Sequence, residues 1–303
     1  MSYHVPVLLR HCIEGLNIQS GGIYVDVTFG GGGHAKAIFE SMEQGALVAF
    51  DQDPDALPNA SAFNSDAKRS FLFVPANFRH LKRFLKFHKI EKVDGILADL
   101  GVSSYQFDEE HRGFSTRFDG ALDMRMDRVS KLTAAKVVNS YSEDRLVEVL
   151  SKYGEIRNAK RLAADIVHAR LKAPITSTAM LKAIALLIAP HGKQAKYLAQ
   201  LFQAIRIEVN DEIESLKDFL TQTKDVLKSG GRLVVISYHS LEDRLVKHLI
   251  NAGNFEGNIE KDFYGNVIRP YEPIKGRLIT PDEQELRKNN RSRSAKLRIG
   301  IKN

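Results

Sequence analysis

The chain has 303 residues, of which 43% are hydrophobic and 27% are charged, a composition typical of a folded protein with a substantial core. Its one cysteine, Cys12, excludes an internal disulfide. No apolar run reaches the ~18 residues of a membrane-spanning helix, and no basic segment opens the chain. We therefore expect a cytoplasmic protein without a signal peptide or membrane partner. A formal net charge of +7 favours a polyanionic partner such as nucleic acid without requiring one.

Strands and helices alternate over the first hundred residues. Buried-strand patterns at 22–27, 45–50, 70–74 and 93–98 alternate with helical spacing at 34–42 and 81–88. Such alternation is typical of a parallel sheet with helices on both faces. Ligands of these sheets bind at the carboxyl ends of the strands, so the functional residues are expected there.

The middle of the chain has no strand pattern. Residues 103–128 are rich in Ser, Asp, Arg and Gly, and helical spacing follows at 134–172 and from 178 to 189. Ser142 is placed to cap the start of one of these helices. Apolar residues then step by three or four, which predicts one long helix that carries Leu198, Leu201, Ile205, Val209, Ile213, Leu216 and Leu220.

The sheet pattern resumes near the C-terminus. Residues 228–237 are predicted to form a turn followed by a strand, residues 241–250 a helix, and residues 267–268 and 296–299 two last strands. The simplest architecture is one α/β domain, built from residues 1–106 and 205–303, with an all-helical insertion at 107–204. We expect the insertion to recognise the substrate.

The glycine-rich loop DVTFGGGGH at residues 26–34 lies between the first strand and its helix. Glycines there let the backbone approach a ligand closely. A dinucleotide-binding loop requires the spacing G-x-G-x-x-G, which this loop does not meet because Ala35 follows His34. Asp26 is also poorly suited to a pyrophosphate, whereas it suits the positive methionine end of S-adenosylmethionine, directly or through water.

Further candidates follow the next three strands. Asp51 can accept hydrogen bonds from two ribose hydroxyls, a role that would serve NAD equally well. Phe78 can pack on an adenine or belong to the core. Asp99 ends the fourth strand and points to the same cleft, where amino-group methyltransferases commonly place an acid or amide.

Eight short motifs along the chain point to a known family. The chain resembles the bacterial 16S ribosomal RNA (cytosine-N4)-methyltransferase family, and the matching segments follow one order over nearly its whole length. They are HVPVLL at 4–9, the 26–34 loop, DLGVSS at 99–104, LDMRMD at 122–127, YGE at 153–155, FQAIRI at 202–207, ISYHSLEDR at 236–244 and RSRSAKLR at 291–298.

The resemblance implies a class I Rossmann-like S-adenosylmethionine methyltransferase that methylates the exocyclic N4 of a cytidine in the decoding centre of 16S ribosomal RNA, within the small subunit. By motif, the implied cofactor contacts are Gly32, Gly33, His34, Asp51, Phe78, Asp99 and Gln106. Basic residues of the matching motifs are the RNA-binding candidates: Arg125, Arg206, Arg291, Arg293, Lys296 and Arg298. The alternative to RNA binding is that these charges lie on a loose tail and on solvated helix faces.

The chain departs from the family pattern in three places. Tyr105 and Asn290 stand where proline is expected. Residues 196–201 read KYLAQL, where the family usually has Pro-Ala-Thr-Arg-Thr. The last departure bears on RNA contacts in the insertion and leaves the cofactor assignment untouched.

Amino-group transfer requires an acceptor for the amino hydrogens. Many such enzymes carry an Asp/Asn-Pro-Pro-aromatic loop after the fourth strand, and here that loop is DLGV at 99–102, with the acid but without proline or an aromatic neighbour. We predict Asp99 as the acceptor and His239 as a second candidate, although a lone histidine is more often structural. The candidates for stacking on the base are Tyr105, Phe107, Phe114 and Tyr238. Arg125 could instead order its own loop through Asp123 and Asp127.

Two alternatives from other classes remain open at this stage. An NAD-dependent oxidoreductase would use the same strand-end acids, although the glycine spacing argues against it. A non-catalytic RNA-binding or assembly protein would use the basic residues alone. No metal site is predicted, because His4, His11 and His34 lack carboxylates or thiols at ligand spacing.

Overall fold

A computed structural model describes residues 6–274 and 278–303, without the side chain of Asn290. The first two residues of the 4–9 motif, His4 and Val5, therefore lie outside the described part. The chain forms two compact units, one from 1–101 and 213–303 and the other from 102–212. The sequence predicts these divisions at 106/107 and 204/205.

The described residues of the first unit form a seven-stranded sheet. The strands are β1 Gly22–Asp26, β2 Gly45–Phe50, β3 Arg69–Val74, β4 Val93–Asp99, β5 Leu227–Ser237, β6 Tyr271–Pro273 and β7 Lys296–Lys302. Their order in the sheet is β3-β2-β1-β4-β5-β7-β6. Strands β1 to β5 are parallel, β7 is antiparallel to β5, and β6 is antiparallel to β7. The predicted parallel α/β sheet is confirmed, and this topology is that of a class I Rossmann-like methyltransferase fold.

Helices cover both faces of this sheet. Alternate residues of β1 point to opposite faces, so Val25 joins a core with Phe219 and Tyr24 joins another with Ile38. Both cores are buried. The helices are α1 Leu9–Leu16, α2 Gly33–Ser41, α3 Leu57–Ala60, α4 Leu81–Phe87, α11 Glu212–Val226, whose first residue still belongs to the second unit, α12 Ser240–Ala252 and α13 Glu283–Lys288.

The second unit is helical. Its helices are α5 Ser104–Asp108, α6 Ala134–Ser140, α7 Glu143–Lys152, α8 Ala159–Lys172, α9 Thr178–Leu186 and α10 Gln194–Asn210. The amphipathic α10 packs against α6, α7 and α9 through buried residues such as Leu201 and Ile205. Ser142 caps α7 as predicted, because its side chain accepts a hydrogen bond from the Arg145 N–H.

Two predicted elements were wrong. The single long helix over 198–220 is interrupted at Asp211, whose φ of 50° is left-handed, so α10 ends there and α11 begins at Glu212. Helix α10 runs unbroken through Asn210, and the second unit ends at Glu212. Val267 forms a bridge with Lys261 in a hairpin outside the sheet, and the edge strand is β6 instead.

Within 6–274 and 278–303, no helix combines the length and the apolar character that crossing a membrane would require.

Candidate functional site

Three carboxylates gather at one edge of the sheet. Asp26 is the last residue of β1, Asp51 directly follows β2, and Asp99 is the last residue of β4. Strand β1 lies beside β4, and the chain leaves β1 toward β2 but leaves β4 toward β5, in opposite directions along the sheet. A parallel sheet opens a crevice at such a point, and ligands bind there.

The glycine loop between β1 and α2 bends toward this crevice. Gly30 and Gly32 adopt left-handed φ angles of 50° and 77°, which other residues rarely adopt. The Gly30 N–H donates to Oδ2 of Asp51 at 2.7 Å, and Gly32 is the N-cap of α2. The loop therefore places its backbone close to the carboxylates.

Asp26 is buried, with 1% of its surface exposed. Its Oδ1 accepts the Thr28 N–H at 3.0 Å, whereas its Oδ2 has no hydrogen-bond partner among the described residues. Burial raises the pKa of Asp26 to about 6, although the nearby His34 and the Thr28 N–H act in the opposite direction. An orphaned buried acceptor with this electrostatic environment is suited to a positively charged donor.

Asp51 has a fixed orientation. Its Oδ1 accepts the Asp53 N–H at 2.8 Å and its Oδ2 accepts the Gly30 N–H. Burial raises the pKa of Asp51 to about 6, against the lowering effect of these hydrogen bonds. Each carboxylate oxygen has a second lone pair, so Asp51 can still accept hydroxyl donors.

Asp99 lies between a tyrosine and a histidine. The Tyr238 hydroxyl donates to its Oδ1 at 2.8 Å, and its Oδ2 lies 3.6 Å from Nδ1 of His34. Burial raises the pKa of Asp99 to about 7, although the Tyr238 hydrogen bond lowers it. With 23% of the side chain exposed, the carboxylate stays within reach of a ligand.

His34 is held by its other ring nitrogen. Nε2 lies 3.0 Å from the carbonyl oxygen of Val7, an acceptor, so Nε2 carries the proton in the neutral ring. Burial lowers the pKa of His34, and Nδ1 then faces Asp99 as an acceptor. The structure thus brings together His34, Asp26 and Asp99, which the sequence analysis had selected separately.

Two other predicted cofactor residues have structural partners of their own. The Phe78 ring packs edge-on against Phe219, with centroids 5.4 Å apart. Gln106 is buried in the helical unit, where it forms a capping box with Ser103 at the start of α5. Their contact with a cofactor stays a prediction.

His239 caps a helix. Its Nδ1 accepts the Glu242 N–H at 3.4 Å, and its Nε2 lies 3.1 Å from Oε1 of Glu242. These contacts give His239 a structural role at the start of α12. The residue that reaches Asp99 is its neighbour Tyr238, which the sequence analysis had considered only for stacking. Thr28 was missed altogether, although its hydroxyl accepts the Asp99 N–H at 2.7 Å.

Most of the predicted RNA-binding cations have acidic partners. Arg206 forms two hydrogen bonds of 2.8 and 2.9 Å with Glu212. Arg298 and Lys296 both contact Asp243, at 2.6 and 3.3 Å.

Arg125 pairs with Asp123 at 2.8 Å and donates to the carbonyls of Arg128 and Ser130, so it orders its own loop. Arg291 and Arg293 lie in the short helical turn Asn290–Ser294, where Arg293 is exposed. These ion pairs and positions do not test contact with RNA. That contact stays a prediction for all six cations.

The chain is similar to known proteins over nearly its full length. The sequence model of the MraW methylase family matches residues 1–303. The chain is 56% identical over 299 residues to the ribosomal RNA small subunit methyltransferase H of Amoebophilus asiaticus, and the aligned region covers 99% of this chain and 96% of that protein. It is 54% identical over 297 residues to the protein of that name from Cytophaga hutchinsonii, with 98% of each covered. Among solved structures, an rRNA methylase from Streptococcus thermophilus has 12% identity and a TM-score of 0.43, over 97% of this chain and 93% of that one.

Proposed function

The chain belongs to the MraW methylase family, and we propose that it methylates the exocyclic N4 of one cytidine in the decoding centre of 16S ribosomal RNA. The broader activity is S-adenosylmethionine-dependent methylation of small-subunit ribosomal RNA. The proposed substrate is the RNA within the small subunit or a late assembly intermediate. Family membership removes the NAD-dependent oxidoreductase from consideration.

The strand-end acids fit the charge of the cofactor. When bound, S-adenosylmethionine supplies a methyl group activated by a sulfonium centre and carries a second positive charge on its ammonium group. Within the described residues, none of the three carboxylates forms an ion pair with Lys or Arg. The orphaned Oδ2 of Asp26 is the observation that carries the assignment, because a buried acceptor without a donor is costly.

We assign the cofactor contacts by chemistry. Asp26 accepts from the ammonium group, directly or through water, and Asp51 accepts from the ribose hydroxyls. The backbone at Gly32 and Gly33 approaches the cofactor because no side chain intervenes. Phe78 contributes its exposed ring surface to the adenine side.

Asp99 is the proposed acceptor for the amino group. The cytosine N4 is a weak nucleophile, since its lone pair is delocalised into the ring. A carboxylate that accepts one N–H bond orients the nitrogen and favours the tetrahedral geometry that develops as the N–CH₃ bond forms. Nitrogen then gives up a proton, and Asp99, with a pKa of about 7, can take it at neutral pH.

Tyr238 is the proposed positioning residue for Asp99. Burial and the neighbouring Asp99 raise the pKa of the Tyr238 hydroxyl, so it stays protonated and keeps donating to Oδ1. This leaves Oδ2 for the amino group, with His34 beside it. His239 is not assigned a part in the reaction, because its ring is used to cap α12.

Labelled methyl transfer tests this function. The protein is incubated with methyl-labelled S-adenosylmethionine and small subunits that lack the modification, and label is counted separately in RNA and protein. Label in 16S ribosomal RNA is expected. Label in protein or free cytidine, with none in the RNA, would overturn the proposal, and a calorimetric titration with the cofactor shows whether the protein used was competent to bind it.

A further inference from the structure

A cavity of about 410 Å³ lies within the helical unit, among residues that the proposed mechanism does not use. It is lined by the turn before α8, at 155–158, by Pro190, and by the first turns of α10, at 193–200. Its volume lies in the range of small-molecule binding sites, roughly 300–1,000 Å³. The space is therefore large enough for a ligand and not only for water.

The rim of this cavity is basic. Arg157, Lys193 and Lys196 line it and are exposed, and none of them forms an ion pair in the part of the chain that the structure describes. Glu155 is the acidic residue of the lining, and it has an interaction of its own. Most of the arginines predicted to bind RNA are paired with acids. Arg157, Lys193 and Lys196 are not so paired within the described residues, and they are therefore suited to bind an anion.

The floor of the cavity is apolar and held in place. Ile156 and Tyr197 are 4% and 5% exposed. The Tyr197 hydroxyl donates to Oδ1 of Asn158 at 2.9 Å, which fixes the ring between α10 and the start of α8. A nucleobase, which has a flat aromatic face, can pack against this floor while the phosphate of its nucleotide reaches the rim.

Two helices also begin at the cavity. Asn158 is the N-cap of α8 and Lys193 the N-cap of α10, and neither provides a side-chain cap. The first-turn N–H groups and the dipole of each helix add to the attraction that the cations exert on a phosphate.

We propose that this cavity binds one unpaired nucleotide of the RNA substrate. Arg157, Lys193 and Lys196 contact the phosphate, and the base packs on Ile156 and Tyr197. Proteins read single-stranded RNA in this way, through splayed bases and charged contacts to the backbone. The proposal rests on the proposed function for the identity of the ligand, and it places RNA contact at the 196–201 segment, where the chain departs from the family pattern.

Charge removal with a matched control tests the phosphate contact. The variant Arg157→Gln, Lys193→Gln, Lys196→Gln loses three charges at the cavity. The control Lys131→Gln, Lys136→Gln, Lys172→Gln loses three charges from the same unit, at exposed residues that do not line it. Lys172 is at the far end of α8, about 20 Å from Asn158.

Binding to decoding-region RNA is measured over a range of salt concentrations. We expect the cavity variant to bind at least about tenfold more weakly, and the slope of log K against log salt to fall by about 0.7–0.9 for the loss of one phosphate contact, whereas the control changes affinity less than about threefold. Both variants should keep the unfolding temperature and S-adenosylmethionine affinity of the parent. An equal loss in the two variants would overturn the proposal.

Crosslinking tests the base contact. RNA with 4-thiouridine in its unpaired positions is irradiated on the protein, and the linked peptides are identified by mass spectrometry. Links within 155–158 or 190–200 are expected, and links confined to other segments would contradict a base in the cavity. Methyl transfer by the parent is measured in parallel. Its absence would count against the proposed function, whereas the RNA-binding measurements would still decide whether the cavity binds RNA.

Discussion

The Tyr238 hydroxyl donates a hydrogen bond of 2.8 Å to Oδ1 of Asp99. The bond joins the ends of β5 and β4, which are neighbours in the sheet. It stabilises the ionised carboxylate, whereas burial favours the protonated form and raises the pKa of Asp99 to about 7. The balance of these two effects keeps Asp99 near the midpoint of its titration at neutral pH.

Replacement Tyr238→Phe should therefore slow methyl transfer. Without the donated hydrogen bond the pKa of Asp99 rises further, so less of it is ionised at neutral pH and the acidic limb of the rate profile moves to higher pH. We expect kcat at neutral pH to fall about tenfold, since one hydrogen bond to a charged group contributes about 1.5–3 kcal/mol. The pH profile of kcat measures this, with the exposed Tyr264→Phe as control. An unshifted profile would show that the tyrosine only fills space.

Replacement Asp26→Asn should weaken cofactor binding. The amide keeps the shape of the side chain but removes the charge that offsets the ammonium group, so we expect the Kd for S-adenosylmethionine to rise by about ten- to a hundredfold. Calorimetric titration measures it. Glu256→Gln, which removes a charge elsewhere in the same unit, is the control. Equal affinities for Asp26→Asn and the parent would refute the assignment of Asp26.

The same variant should change how stability depends on pH. Burial raises the pKa of Asp26 in the folded protein from 3.8 to about 6, so the folded state holds this proton more tightly than the unfolded state. The ligand-free protein thus loses stability as pH rises through this window, and Asp26→Asn does not share that loss. The difference in the free energy of unfolding between Asp26→Asn and the parent should therefore change with pH. From about pH 4 to pH 7 it should shift in favour of the variant by up to about 3 kcal/mol.

Denaturant unfolding at the two pH values measures this difference. Asp225→Asn is the control of opposite sign, because its ion pair with Lys82 lowers the pKa of Asp225. That variant should lose a little stability relative to the parent as pH rises. A gap between Asp26→Asn and the parent that does not change with pH would contradict the account.

Gly32→Ala should destabilise the glycine loop, and Gly31→Ala should not. Gly32 has a φ of 77°, and a Cβ there would lie 3.0 Å from the Phe29 ring. The left-handed conformation alone costs an alanine about 1–2 kcal/mol. Gly31 has an ordinary φ and open space around its Cβ position. Thermal unfolding of the two variants measures the difference, and similar melting temperatures would show that the loop adapts freely.

The sequence predicted the position of the acids better than their environment. Asp26, Asp51 and Asp99 follow strands whose alternation with helices fixes a parallel sheet, so their shared edge follows from pattern alone. The contact between Tyr238 and Asp99 depends on β5 pairing with β4 after an intervening unit of about a hundred residues. No local pattern records that pairing.

The errors have physical causes. Apolar spacing continues across Asp211, so periodicity could not detect a break that lies in one backbone angle. The basic residues Arg206 and Arg298 were selected by charge, whereas each is paired with an acid that comes near only in the folded unit. Lys193 and Lys196, which form no ion pair within the described residues, belong to no sequence motif, and only the cavity brought them to notice.

Mapping the methyl group on the RNA tests the central claim most directly. Small subunits that lack the modification are treated with the protein and S-adenosylmethionine, and nucleosides and fragments of the 16S ribosomal RNA are analysed by mass spectrometry, with Asp99→Asn as the matched variant. We predict N4-methylcytidine at one position of the decoding centre, and a rate at least about a hundredfold lower for Asp99→Asn with cofactor binding retained. A methyl group on another atom or another RNA, or an Asp99→Asn variant as fast as the parent, would contradict the account.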